Sequence, residues 1–338
     1  MTKKLKVAMI GGWGHGSNVI SDFVENSPEN AELVAMGQTC AEESLWDLPE
    51  NYNNVTRYTD YKKMLEEVKP EIAVISTRLD LINETAIKAA ASGCNLICEK
   101  PVAASKKQLH KLYQKVEQNQ VKLMLLLNNR ANPYLKAARA LVKEGTIGDI
   151  VMVNARKSYP WTDDRVEKFP VKYGGTVGWV GIHALDFING ITDLSFKKVT
   201  GMESNQINEK FADCPDNCGL VLELSNGGHA TISIDYHRPQ ASSTHGDDWI
   251  RIVGQRGTIE CNLSRGSISC CTDEIEDYEV KIPAGESLFQ QFYDYILNGS
   301  YQKRFNKITE AAFSMTNTCI TAQKAILEEK VLKIKNNY

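Results

Sequence analysis

The chain lacks a long apolar run, a dominant charge sign and any zinc-type cysteine spacing, and each lack closes off a class of function. Its best apolar run, 123–127, is strand-sized, against the ~18 residues a membrane-spanning helix needs. With 39 Lys+Arg against 42 Asp+Glu the net charge is −3, so there is no clustered positive field for nucleic acid or an anionic membrane. Of nine cysteines only Cys214/Cys218 and Cys270/Cys271 are closely spaced, and neither pair has the partner pair or histidine spacing of a metal site. Lys3-Lys4-Leu5-Lys6 before Val7-Ala8-Met9-Ile10 has the look of a signal peptide, but the apolar stretch breaks at Gly11-Gly12. It reads as a first β-strand, and the expected setting is a reducing cytoplasm with neither disulfide nor structural metal.

What is present is ordinary globular material, with 42% hydrophobic and 24% charged residues over 338 positions. At roughly 150 residues per domain that length predicts two domains. Residues 6–10, 32–36, 72–76, 96–98 and 121–127 read as short apolar strands, with helices over 61–68, 84–92 and 106–118 and one after the first Gly-rich turn. That first helix presents Val19, Ile20, Phe23 and Val24 on one face. Alternating strands and helices predict a doubly wound parallel α/β sheet of Rossmann type over 1–127. The pattern then changes. After a helix over 133–143 come extended runs at 150–157, 219–224, 229–236, 250–253 and 258–263, with a hairpin signal at Asn226-Gly227. Helices at 177–190, 289–297 and 308–328 complete an α+β domain over 128–338, built on a large open, mainly antiparallel sheet.

The first strand runs into Gly11-Gly12-Trp13-Gly14-His15-Gly16-Ser17. A strand feeding a Gly-rich turn that opens a helix makes a phosphate site, because glycine admits a close backbone approach and the helix N-terminus offers N–H groups. Strict G-x-G-x-x-G spacing is missing; the nearest match is Gly12-x-Gly14 with Ser17 in the third place. After the second strand, Gly37-Gln38-Thr39 has neither the acid that holds an NAD ribose nor the cation that holds the 2′-phosphate of NADP. Gln38 can bond a ribose diol, and Glu42 and Glu43 follow without a nearby cation, so NAD is favoured and NADP is not excluded. Lys100 follows a buried parallel strand and should project at the carboxyl edge of the sheet, where ligands bind in such folds.

Glu99-Lys100-Pro101 after a strand, Arg130-x-x-Pro133 opening the next helix, Gly145-x-x-Gly148, and Gly174-Gly175 leading to Gly181-Ile182-His183-Ala184-Leu185-Asp186 occur in one order along nearly the whole chain. In these motifs the chain resembles the Gfo/Idh/MocA family, whose members pair a Rossmann domain with an open antiparallel-sheet domain. The resemblance implies that Lys100 and His183 lie at a nicotinamide and handle the substrate hydroxyl. It also implies a cofactor lined by the Gly-rich turn, Gln38, Thr77, Arg78, Glu99, Lys100 and Asn128. A neutral His183 can take an alcohol proton as hydride leaves the same carbon. Asp186 either fixes its orientation or anchors the domain.

The chain departs from the family where an aspartate normally stands four residues before the histidine; Trp179 occupies that place and either stacks on a sugar ring or packs as an apolar wall. The family's Thr-Pro after the third main strand is Thr77-Arg78, and its nearby histidine falls at Ile82. Tyr159-Pro160-Trp161 with Asp163-Asp164 offers an aromatic and acidic wall for a polyol. If the strands around 229–236 and 250–253 pair, His237, His245 and Asp247 come together, for substrate contact rather than for a metal. The expected function is an NAD(P)-dependent oxidoreductase acting on a carbinol of a sugar, cyclitol or similar polyol. The alternatives are glycoside cleavage by NAD-dependent redox and elimination in the same fold, or a non-catalytic regulator that binds cofactor or sugar. An apolar open sheet face predicts a homodimer or homotetramer formed through the C-terminal sheet.

Overall fold

The computed structural model describes residues 4–161, 175–206, 215–336 and 338. Asp163, Asp164, Gly174 and Cys214 lie outside these residues, as does the side chain of Asn128. The chain divides into two compact units, one of Met1–Leu126, Ser287–Ser314 and Tyr338, the other of Leu127–Glu286 and Met315–Asn337.

In the first unit six parallel strands, β1 (Leu5–Ile10), β2 (Ala31–Gly37), β3 (Thr56–Tyr58), β4 (Ile72–Ile75), β5 (Asn95–Cys98) and β6 (Leu123–Leu125), lie in the order β3-β2-β1-β4-β5-β6. Strand order reverses beside β1, which pairs with both β2 and β4, and the crevice beyond those carboxyl ends is where doubly wound sheets take ligands. Helices α1 (Ser17–Asn26), α2 (Tyr61–Val68), α3 (Leu79–Ala91) and α4 (Lys106–Gln118) connect the strands. Val7 through Ile10 and all of β4 are fully buried, as a sheet covered on both faces requires. On α1 the buried positions are Val19, Asp22 and Phe23, whereas Val24 of the expected face is exposed. Ser287–Ser314 groups here because α7 (Leu288–Asn298) returns to α1: Ser287 donates to Asp22 at 2.7 Å and the Tyr293 ring meets Phe23 at 5.9 Å.

The second unit holds a nine-stranded mixed sheet in the order β14-β13-β12-β11-β7-β10-β9-β8-β15. Its strands are β7 (Ile150–Ser158), β8 (Phe196–Ser204), β9 (Asn217–Leu224), β10 (His229–Asp235), β11 (Trp249–Gly254), β12 (Gly257–Asn262), β13 (Ser267–Thr272), β14 (Tyr278–Glu279) and β15 (Leu332–Lys333). Pairing is antiparallel except between β7 and β10, and β9–β10 is the hairpin signalled by Asn226-Gly227. Strands β10 and β11 do not pair, contrary to the expectation for His237 and His245; β7 lies between them. One face buries rows such as Leu222, Ala230, Val153, Ile252 and Ile259 beneath α5 (Pro133–Lys143) and α6 (Ile182–Thr192). The other face is mixed rather than continuously apolar: Val221, Thr231, Asn154, Arg251 and Glu260 form one of its rows. Before α6 the backbone makes a π turn, Val177–Gly181, where a single helix over 177–190 was expected. The last helix, α8 (Gln302–Leu327), is not long and apolar enough to cross a membrane, nor is any other among the described residues.

Candidate active site

At the carboxyl ends of β1 and β4 the Gly-rich turn is shaped by close packing. Gly11 has φ +94, and a Cβ there would overlap the Ser76 backbone; one on Gly16 would press on the Ser76 side chain and the Trp46 ring. These two glycines, five residues apart, hold the outer places of a G-x-G-x-x-G turn, with Trp13 in the middle and α1 starting at Ser17. This register differs from the Gly12-x-Gly14 match with Ser17 read from spacing alone. The Gly12 N–H ends on the Glu43 carboxylate at 3.3 Å and the His15 N–H on Glu99 at 2.8 Å, while Gly16 donates to Ser76 Oγ at 2.9 Å. The Gly12 and His15 N–H groups are thus met by the chain's own carboxylates, and what suits the turn to a dinucleotide is the close backbone approach allowed by glycines that admit no Cβ, directly before the N-terminus of α1.

Glu43, buried, is the residue that spacing did not single out. Besides Gly12 it accepts from Thr39 N–H at 2.7 Å, Thr39 Oγ1 at 2.8 Å and Thr77 Oγ1 at 2.6 Å. Gln38 spends its amide on the Glu43 carbonyl at 2.5 Å. The chain thus returns a carboxylate to the end of β2 from the loop beyond it, and the signal was the pair of glutamates at 42–43. Arg78 engages Asp80 in a two-pronged pair at 2.7 and 3.1 Å.

Glu99 and Lys100 follow β5, and the bond from Lys100 to Pro101 is cis. Lys100 is 1% exposed, with Nζ 3.7 Å from Glu99 Oε1, so it is no solvated lysine at a strand end. The same carboxylate meets His15 Nδ1 at 3.0 Å. Burial pushes the Glu99 carboxyl up, but the His15 hydrogen bonds and the Lys100 charge outweigh it and hold it below the usual carboxylate range.

In the second unit His183, buried, is the second residue of α6, and Trp179 lies half-buried in the π turn. Asp186 is bound by Arg130, with Nε donating at 2.7 Å, which is the anchoring role rather than an orienting one. Burial raises the Asp186 pKa more than Arg130 lowers it. At the carboxyl ends of β7 and β10, the Tyr159 ring lies 4.9 Å from His245, and Trp161 packs edge-on to Tyr236 at 5.4 Å. His237 Nε2 lies 3.1 Å from Asp216, while Asp247 pairs with Arg156 at 3.0 Å and Arg238 at 3.6 Å. His237, His245 and Asp247 therefore go to separate neighbours, and among the described residues no cluster of three His, Cys, Asp or Glu side chains is placed to hold a metal ion. Two residues of this edge to which the sequence assigned no role are Lys157 and Asp248, which form a buried ion pair.

Residues 5–127 match the family model described as "Oxidoreductase family, NAD-binding Rossmann fold", and residues 135–260 match "GFO/IDH/MocA C-terminal domain". The chain is 25% identical to the inositol 2-dehydrogenase of Rhizobium meliloti, over 58% of each. It is 26% identical to the levoglucosan dehydrogenase of Pseudarthrobacter phenanthrenivorans, over 45% of this chain and 40% of that one. The chain thus spans about two fifths to three fifths of the length of these curated relatives. A solved structure from Thermotoga maritima superposes with TM-score 0.88 at 29% identity, covering 98% of this chain and 100% of that one. A levoglucosan dehydrogenase in complex with NADH, 17% identical, superposes with TM-score 0.82 over 98% of this chain and 100% of that one, a likeness of fold. The parallel sheet with its glycine turn and the mixed nine-stranded sheet, matched by both domain models, place this chain in the Gfo/Idh/MocA family of oxidoreductases, with an NAD-binding Rossmann domain at its N-terminus.

Proposed function

We propose that the protein is an NAD-dependent oxidoreductase acting on a carbinol of a sugar, cyclitol or similar polyol. The observation that carries this reading is Lys100: an ammonium buried beside Glu99 at the carboxyl end of a parallel strand, tied through that carboxylate to the glycine turn. When bound, the nicotinamide supplies the hydride acceptor or donor. Lys100 orients the reacting hydroxyl and draws its oxygen toward the alkoxide; His183, as a neutral imidazole, takes the proton. Tyr159, Trp161, Trp179 and His237 are the substrate-facing groups of the second unit, with the aromatic rings against carbon and His237 toward a hydroxyl. A second copy of this chain is taken as partner across the open face of the nine-stranded sheet, and the cytoplasm as the setting.

The test is nicotinamide reduction with a panel of inositols, aldoses and levoglucosan. Lys100→Ala and His183→Ala are each expected to lower turnover by about 10²–10⁴-fold, and His183→Ala to leave NAD affinity by calorimetry near the parent's. Two variants as active as the parent would sink the enzyme reading. Trp179 in place of a helix-borne acid favours one competing reading, a non-catalytic regulator that binds cofactor or sugar. Free NADH building up in step with product rules that competitor out.

A further inference from the structure

Along the helix-covered face of β7 the buried residues run Val153, Ala155 and Lys157. Lys157 thus takes an apolar place, in register with Ile234 of β10, which in turn pairs with Cys218 of β9. It is 3% exposed, its ammonium meets the Asp248 carboxylate through Oδ2, and it lies 4.8 Å from the Tyr159 ring and 5.4 Å from the Phe187 ring. Phe187 follows His183 by four residues in α6, so the two share a helix face and the ammonium lies beneath the face that carries the histidine. Asp248 is 8% exposed and its second oxygen, Oδ1, is buried with no hydrogen-bond partner among the described residues.

Stability gives no reason for this arrangement. Two ions taken out of water lose hydration that apolar side chains of the same volume would not lose, and a carboxylate oxygen left unmet adds to the loss. Burial draws the Lys157 ammonium below the ordinary lysine range against the pull of Asp248. A hydroxyl answers both needs at once, because it accepts from an ammonium and donates to a carboxylate. Tyr159, flanked by His245 at 4.9 Å, sets an aromatic face beside the ammonium, as a ring bearing C–H and O–H groups requires.

We propose that Lys157 and Asp248 form the hydroxyl-reading floor of the substrate site, where one hydroxyl of a sugar or cyclitol accepts from Lys157 Nζ and donates to Asp248 Oδ1, with the Tyr159 ring against the carbon skeleton. The inference rests on the polyol reading above and deepens it by naming the pair that recognises a substrate hydroxyl. Lys157 and Asp248 are recognition groups and take no proton from the reacting carbon's hydroxyl.

Calorimetric titration of the NAD-loaded protein with levoglucosan and with myo-inositol tests it. The parent is expected to bind at least one probe, and Asp248→Asn to weaken that binding by at least about tenfold with NAD affinity unchanged. In turnover the loss should appear in KM and leave kcat within about threefold. Among mono-deoxy analogues of the bound probe, one should bind parent and Asp248→Asn equally, which a merely structural role would not produce. Because single removal of an ion can unfold the site, the double variant Lys157→Met with Asp248→Leu keeps the volume apolar; it should retain the parent's unfolding temperature and NAD affinity and lose the probe. A folded double variant that binds the probe like the parent overturns this role and leaves the polyol reading standing. A parent that binds neither probe overturns both.

Discussion

Glu43 reaches back 31 positions to the Gly12 N–H, and its carboxylate sits at the end of β2 where the ribose acid of an NAD site belongs. A fixed negative charge among Thr39, Thr77 and Gly12 suits hydroxyl donors of a ribose and repels a 2′-phosphate. Glu43→Gln should therefore shift the ratio of NAD to NADP affinity toward NADP by about tenfold, an electrostatic change of roughly 1.4 kcal/mol, read by titrating both nucleotides. An unchanged ratio would show that the carboxylate serves only to hold the loop. The residue scale is also where sequence reading ran short. That two glutamates follow β2 is visible in the string; which of them turns inward is decided by Thr39 and Thr77, one of them 34 residues away. Lys157 was hidden in the same manner, as a polar strand end whose partner stands 91 positions later.

Among the elements, those with an unbroken apolar period were legible: the buried parallel strands and the Asn226-Gly227 hairpin occupy nearly the ranges their periodicity predicts, whereas α3 begins at Leu79 and α8 at Gln302, ahead of the expected starts at 84 and 308. Strands β8 and β13 were not. The former is interrupted by Lys197, Lys198 and Gly201 and slips register between Phe196 and Lys198, and the latter has Ile268 as its one strongly apolar residue among Ser, Cys and Thr, so neither shows a strong apolar period. The π turn was equally opaque, since Val177 to Gly181 has a composition any helix tolerates. One tie between elements is open to test. Arg130, in the short turn Asn128–Ala131, binds Asp186 and Asn189 of α6. Arg130→Met leaves a buried carboxylate uncompensated, and an expected loss of about 3–5 kcal/mol in denaturant unfolding should be largely recovered by adding Asp186→Leu. If the single variant is as stable as the parent, the pair does not anchor the helix.

At the scale of the whole molecule, the open face of the nine-stranded sheet is the surface proposed above for the association of copies. It carries exposed Val221 and Met202 among Thr, Asn and Arg, with Lys198 and Glu223 paired at 2.6 Å. Such a surface resembles a non-obligate interface, where apolar anchors sit within a polar surround, more than an unfinished core. Light scattering at micromolar concentration should report a dimer or tetramer, and Val221→Glu should shift it toward monomer while the unfolding temperature holds. A parent that is monomeric throughout would remove the sheet face as an interface. The parallel pairing of β7 with β10 has a consequence of another kind. It delivers the ends of two strands to one lip of the sheet, and β11, running the opposite way, begins at that lip with Asp247 and Asp248 just before it. Tyr159, His237 and Asp248 thus come from three stretches that all end beyond the hydrophobic rows. Under the substrate-site proposal above, evolution can rewrite that lip, one short connection at a time, and so retarget the protein without disturbing what keeps it folded.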